Sequence, residues 1–175
     1  MRTVRLVANI LFYLSRFTAI LFIIITCYAL LVLILSGFSN SSWIPIKIDN
    51  GGFRIFYPFT KNTFLLGDYT AAYLVTNFFT IGFYGLFLWL LSKVFHAFMQ
   101  PKLFTRSSVH HLSLFYIANL IVPFLFLILL VVWREEFSDI IRIVFLHLVI
   151  GVFAFFMAAI FKQGLLLQEE QDLTF

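Results

Sequence analysis

LSLFYIANLIVPFLFLILLVVW, residues 112–133, carries no Asp, Glu, Lys or Arg along its whole length. As a helix rising about 1.5 Å per residue it is long enough to cross a hydrocarbon layer of about 30 Å. Backbone groups in lipid must find partners within the segment, and a helix supplies them. Three further windows share the property: residues 17–35, 69–92 and 143–161. All four are too long and too continuous for the alternating strands of a membrane barrel. The first also exceeds the apolar core of a signal peptide, and no small-residue cleavage site follows it. It reads as a retained helix.

Composition agrees. Hydrophobic residues make up 62% of the 175 and charged residues 11%, against about 45–50% and about 25% in soluble domains. So few charges do not cover a water-facing surface, so lipid does part of the covering. The expected fold is an all-α membrane protein, a four-transmembrane-helix bundle forming one integral membrane domain over residues 1–175. Its spans are expected at about 13–37, 69–98, 108–133 and 139–163. The single cysteine, Cys27, excludes an intramolecular disulfide and reads as a buried or lipid-facing thiol. The net charge of +4 reads as an orientation signal, with no direct nucleic-acid binding.

Basic residues in short flanks set orientation. Arg2, Arg5 and Arg16 precede the first span, and Lys93, Lys102 and Arg106 lie in the second connection. The third connection sets Arg134 against Glu135, Glu136 and Asp139. Both termini and the second connection are therefore expected in the cytoplasm. Tyr13, Trp89 and Tyr116 then fall near the inner boundary, and Trp43, Tyr69, Tyr73 and Trp133 near the outer one, as interfacial aromatics do.

The first connection contains WIPIKIDNGGFRIFYPF, residues 43–59. Ile44, Ile46 and Ile48 alternate, Asn50-Gly51 follows, and Phe53, Ile55 and Tyr57 alternate again. That pattern predicts a β-hairpin over about 43–57, outside the membrane, with Pro45 on an unpaired edge. It reads as a structural lid or as a ligand-facing element. In the second connection Pro101 should stop helix two, and Thr105 or Ser107 can cap helix three. His96, His110 and His111 invite a metal reading. Adjacent histidines on a helix point about 100° apart, however, so interfacial solvation or lipid-headgroup contact is expected instead.

Polar groups inside spans face other helices. Asn119, with Pro123 one turn later, and His147 stand out. Each reads either as interhelical packing or as an ion or ligand site. Asn77, Thr80 and Tyr84 share a face of helix two, and Gly82 and Gly85 allow close approach there. No acid or base is evident at mid-membrane, which argues against a proton-driven pump. Phosphate-binding, zinc-protease, hydrolase and dinucleotide fingerprints are missing from the sequence. The chain reads as non-enzymatic, with no cofactor and no metal.

The chain closes on GLLLQEEQDLTF, residues 164–175, a tail beyond the last span. Glu169, Glu170 and Asp172 would lie near a helix C-terminus, where acids are disfavoured. Basic partners in the second connection would offset that. The tail is expected to fold back there, with Arg106 against Glu170. FKQGLLLQEEQDLTF resembles the C-terminal signature of the DUF2975 family of small bacterial membrane proteins. Gly164, Leu167, Gln168, Glu170, Asp172, Leu173 and Thr174 match it, and Gln171 replaces an Asn frequent in the family. KLFTRSSVHHL is similar to the family's Pro-Phe-Thr-x-x-Asn stretch through Phe104 and Thr105, departing at Lys102-Leu103 and Ser108. The resemblance implies a four-helix multi-pass protein of the bacterial cytoplasmic membrane, often encoded beside a small helix-turn-helix regulator.

Two functions follow as expectations. In one, the chain signals to or tethers a cytoplasmic protein through Gly164, Gln168, Glu170, Asp172, Leu173, Thr174, Phe104, Thr105 and Arg106. In the other it is a small transporter, channel or resistance factor for an apolar or membrane-active compound, using Asn119 and His147. A polar cavity among helices two, three and four would favour the second, and solid packing the first. The lipid bilayer is a partner in both, and self-association into a homo-oligomer is compatible with both.

Overall fold

The computed structural model describes residues 2–38, 43–133 and 138–173. The acid-rich part of the third connection (Arg134, Glu135 and Glu136) and Thr174 lie outside the described residues, as does the side chain of Asp139. The described chain is mostly helical. Helices α1 (Arg2–Phe38), α2 (Ala71–Met99), α3 (Arg106–Trp133) and α4 (Ser138–Leu173) are joined by a small sheet between α1 and α2. Its strands are β1 (Ile46–Asp49), β2 (Gly52–Phe56) and β3 (Thr63–Asp68). All four helices are long and apolar enough to cross a membrane.

Two helices outrun the lipid-crossing lengths read from the sequence. α1 has 37 residues and α4 has 36, about 55 Å each at helical rise. Arg2 to Arg16 contains neither Gly nor Pro, so helix propagates through it once started. α2 stops at Met99, two residues before Pro101, where the missing amide was expected to stop it. Large apolar side chains stay exposed along these helices, Phe17, Ile24, Phe145 and Phe153 among them. In water that would be costly, and in lipid it is the solvated state.

Contacts group the described residues into two compact units, Met1–Ala19 with Leu86–Phe175, and Ile20–Gly85. The first is organised by α3 against α4. Buried positions on α3 are Ser108, Leu112, Phe115, Asn119, Pro123, Phe126 and Leu130. Those on α4 are Val144, His147, Gly151, Ala154, Ala158 and Phe161. The α4 intervals alternate three and four, and those of α3 nearly so, the spacing of a coiled-coil seam. Gly151, Ala154 and Ala158 keep the α4 side of that seam shallow, so the backbones approach closely. A methyl group on Gly151 would lie 2.8 Å from Leu120 Cδ2.

In the second unit the sheet packs on α1. The predicted turn is present, with Asn50 at φ 49° and Gly51 at φ 77°. Both are positive, as a two-residue hairpin loop of matching twist requires. Asp49 pairs with Gly52 across it. β1 is an edge strand, so Pro45 just before it displaces no neighbour. Phe53 and Ile55 face inward and are buried with Ala29 and Val32 of α1, while Arg54 between them is exposed. The Tyr28 hydroxyl donates to the Phe56 carbonyl at 2.6 Å, tying α1 to β2.

The expected two-stranded hairpin is corrected to a three-stranded sheet, because β3 pairs antiparallel with β2. TFLLGD lacks strict alternation and runs up to the apolar helix that follows. Its strand character comes from pairing with β2 rather than from a pattern of its own.

Candidate functional site

The two motifs singled out for a cytoplasmic role meet at the junction of α3 and α4. Phe104 lies against Gly164, where an added Cβ would come within 2.7 Å of the ring's Cγ. The ring also meets Phe161 edge-on at 5.3 Å between centroids. Thr105 caps α3, its hydroxyl accepting from the Ser108 amide at 3.1 Å and pairing with the Ser108 hydroxyl at 2.8 Å. That satisfies one of the amides a helix start leaves over. Arg106, the first residue of α3, donates to Glu169 Oε1 from Nε at 3.3 Å and Nη2 at 3.1 Å.

Two expectations about the tail are corrected here. The tail does not turn back, since α4 continues without interruption to Leu173. Arg106 takes Glu169 rather than Glu170. Helical phase gives the reason. Nine residues separate Phe161 from Glu170, which puts them on opposite sides of the helix, about 180° apart. Glu169 is the nearer acid to the face that Phe161 and Gly164 present. Both partners of the pair are largely exposed, so it orients this end and adds about 1 kcal/mol or less. Gln168 is half-buried, and Glu170, Asp172 and Leu173 are exposed.

Asn119 and His147, read separately in the sequence, form one buried pair. The Asn119 amide nitrogen donates to the Phe115 carbonyl at 2.8 Å. Its oxygen is thereby turned to His147, and Nδ1 of the histidine donates to it across 2.8 Å. Both side chains are buried, at 0% and 2% exposure, so the bond is shielded from competing solvent. Phe87 of α2 stands edge-on to the imidazole at 5.1 Å. The sequence offered no sign of Phe87. Gly151, four residues beyond His147 on the same face, was a legible hint that α3 comes close there.

Beside this pair α2, α3 and α4 border a cavity of about 370 Å³, lined by Phe87, Leu91, Phe95, Phe115, Phe153 and Met157 among others. Its lining is apolar throughout. The polar face expected on α2 does not enter it. The Thr80 hydroxyl bonds its own helix at the Thr76 carbonyl, 2.7 Å away, and Gly85 receives Ile23 of α1.

Among the described residues no group of His, Cys, Asp and Glu could hold a metal ion. His110 and His111 diverge, with ring centroids 6.0 Å apart, while His96 bonds Gln100, just past the end of α2. Arg16, passed over as an orientation charge, lays its guanidinium over Trp89 at 3.1 Å from the ring centre. Such a contact stabilises by about 0.5–2 kcal/mol depending on solvation. The chain matches no family model, no curated protein and no solved structure.

Proposed function

We propose that the chain is a non-enzymatic multi-pass protein of the bacterial cytoplasmic membrane, both termini inside, that signals to or tethers a cytoplasmic protein through the end of α4. One observation carries this reading. Past the Phe104–Gly164 contact α4 continues for nine described residues, and its last turns leave Leu166, Leu167, Glu170, Asp172 and Leu173 exposed. Leu173 lies twelve residues beyond Phe161, the end of the charge-free window. That is about 18 Å further along the helix axis, too far for lipid tails to explain an exposed leucine. Leucines beside acids on one helix end suit an apolar groove with a basic rim. A small helix-turn-helix regulator is the partner class that the family resemblance implies.

A photo-crosslinking residue at Leu173 tests it in the native membrane. The expected product is an adduct with a soluble protein, absent when the probe sits at Phe145 on the lipid-exposed side of α4. Recovery of lipid adducts alone from Leu173 would remove the reading, and an adduct with a second copy of the chain would replace it with self-association.

A second reading, a carrier or resistance factor for an apolar membrane-active compound, draws only on the space of about 370 Å³ among α2, α3 and α4, since the polar lining that would favour it is absent from that cavity. Filling it by Leu91→Trp, outside the α3–α4 seam, should then change tolerance to such compounds. Unchanged tolerance in a folded variant counts against transport.

A further inference from the structure

Where α2 ends and α3 begins, a pocket of about 440 Å³ is lined by His96, Gln100, Pro101, Lys102, Thr105, Ser107 and Ser108. It contains ammonium, imidazole, amide and hydroxyl donors and no carboxylate. Lys93, His96 and His110 all stand within electrostatic range of His111, one turn from the pocket's Ser107. The acids at this end do not neutralise the group: Glu169 is held by Arg106. Among the described residues neither Lys93 nor Lys102 forms an ion pair. One ammonium, that of Lys102, thus lines the concavity among neutral hydrogen-bonding groups, and a second, Lys93, stands one turn before His96 on α2. Like charges so arranged repel, and a bound anion relieves that repulsion.

Position along the helices points to the kind of anion. The charge-free window of α2 ends at Ser92 and that of α3 begins at Leu112. His96 lies four residues past the first and Ser108 four before the second, about 6 Å outside the hydrocarbon on each helix. Phospholipid headgroups occupy that depth. Apolar grooves adjoin it: Phe95 and Phe98, on either side of His96 in the chain, line one of about 310 Å³ toward α1 and one of about 370 Å³ toward α3 and α4. A free phosphate would use only the polar pocket, whereas a phospholipid would use both.

We propose that this pocket is a binding site for the phosphate of an anionic phospholipid headgroup, held by Lys93, His96, Lys102 and Ser107. The site does not depend on the partner-docking role of the α4 end.

The test uses the full chain in mixed micelles, with lipid retention measured by native mass spectrometry and stability by thermal unfolding. Phosphatidylglycerol, phosphatidylcholine and inorganic phosphate form three arms. Phosphatidylglycerol should be retained and should raise the unfolding midpoint, and the other two should do neither to a comparable degree. Lys93→Gln with Lys102→Gln should weaken phosphatidylglycerol retention roughly thirtyfold, from the attraction of about 1 kcal/mol for each of the two basic residues at a lipid surface. The midpoint without anionic lipid should not change. Lys102→Gln alone, at an exposed position, should show part of the loss even if Lys93 proves necessary for folding. Lys61→Gln, in the β2–β3 loop, should show none. Equal retention of both lipids, or full retention by the double variant, would overturn the site. Stabilisation by inorganic phosphate equal to that by phosphatidylglycerol would overturn its assignment to lipid.

Discussion

Asn119 and His147 each meet a requirement that the other creates. A lone amide or imidazole buried in an apolar helix contact costs about 1–3 kcal/mol of desolvation, and here each is the other's partner at 2.8 Å. Asn119→Ala and His147→Ala should therefore each destabilise the α3–α4 contact. The double variant should lose less than the sum, with a coupling of about 0.5–1.5 kcal/mol in line with hydrogen bonds between membrane helices. Reversible unfolding in mixed micelles measures it, and strictly additive losses would show that the pair is not an energetic unit. Gly164 is a second case. Gly164→Ala places a methyl against the root of the Phe104 ring, 2.7 Å from Cγ, where rotation of the ring gives little relief. Overpacking of this kind costs about 1–3 kcal/mol. Faster amide exchange in the first turn of α3 should report it, and Phe104→Ala in the same chain should restore slow exchange beyond that turn. Both glycine and histidine were visible in the sequence as unusual residues. What they touch was not, because contacts between helices depend on register and rotation.

At the scale of elements, the hairpin and the helix seam differ in how much of them is local. Asn50-Gly51 specifies its turn through backbone sterics alone, and β1 and β2 follow by alternation. Lys47 and Asp49 lie on one face of β1 and pair at 2.8 Å. The Lys47 side chain, mainly through its hydrogen bond, holds the Asp49 carboxyl below the usual carboxylate range. A depressed folded-state pKa stabilises above the unfolded-state pKa, and the contribution disappears as the pH falls through the folded value. The pair should thus persist at neutral pH and open only in acid, below the range in which an ordinary aspartate titrates. Titrating Asp49 by NMR checks this, and Lys47→Gln should move its midpoint up toward that of an ordinary aspartate. A midpoint indifferent to Lys47 would contradict the contact. The α3–α4 seam is different. α3 is apolar on all sides, so hydropathy does not distinguish its buried side from its lipid side. Its period is carried by Ser108, Asn119 and Pro123, and on α4 by His147, Gly151, Ala154 and Ala158, small and polar residues rather than hydrophobic ones. Arg106–Glu169 in place of Arg106–Glu170 arises the same way, as a one-residue difference that helical rotation decides.

For the whole molecule, sidedness is the property most open to direct test. In a chain with Cys27 replaced by Ala, single cysteines at Lys61, Lys102 and Asp172 can be labelled from outside intact cells with a membrane-impermeant reagent. Lys61→Cys should react, and Lys102→Cys and Asp172→Cys should react only after lysis, as the positive-inside distribution requires. The reverse pattern would move the α4 end and its exposed leucines away from any cytoplasmic partner. From sequence alone came four helices long and apolar enough to cross a membrane, the Asn-Gly turn, the stop at Pro101 and a cap at Thr105 or Ser107. Those features depend on segment length, on hydropathy and on backbone rules that act over a few residues. Only the folded chain decided that β3 completes a sheet, that Asn119 meets His147, that Phe104 closes on Gly164, and that the cavity beside α2 is apolar. Each of those is a contact between residues far apart in the chain, selected by shape and hydrogen bonding among surfaces that lipid solvates equally well, so hydrophobicity has no preference to record.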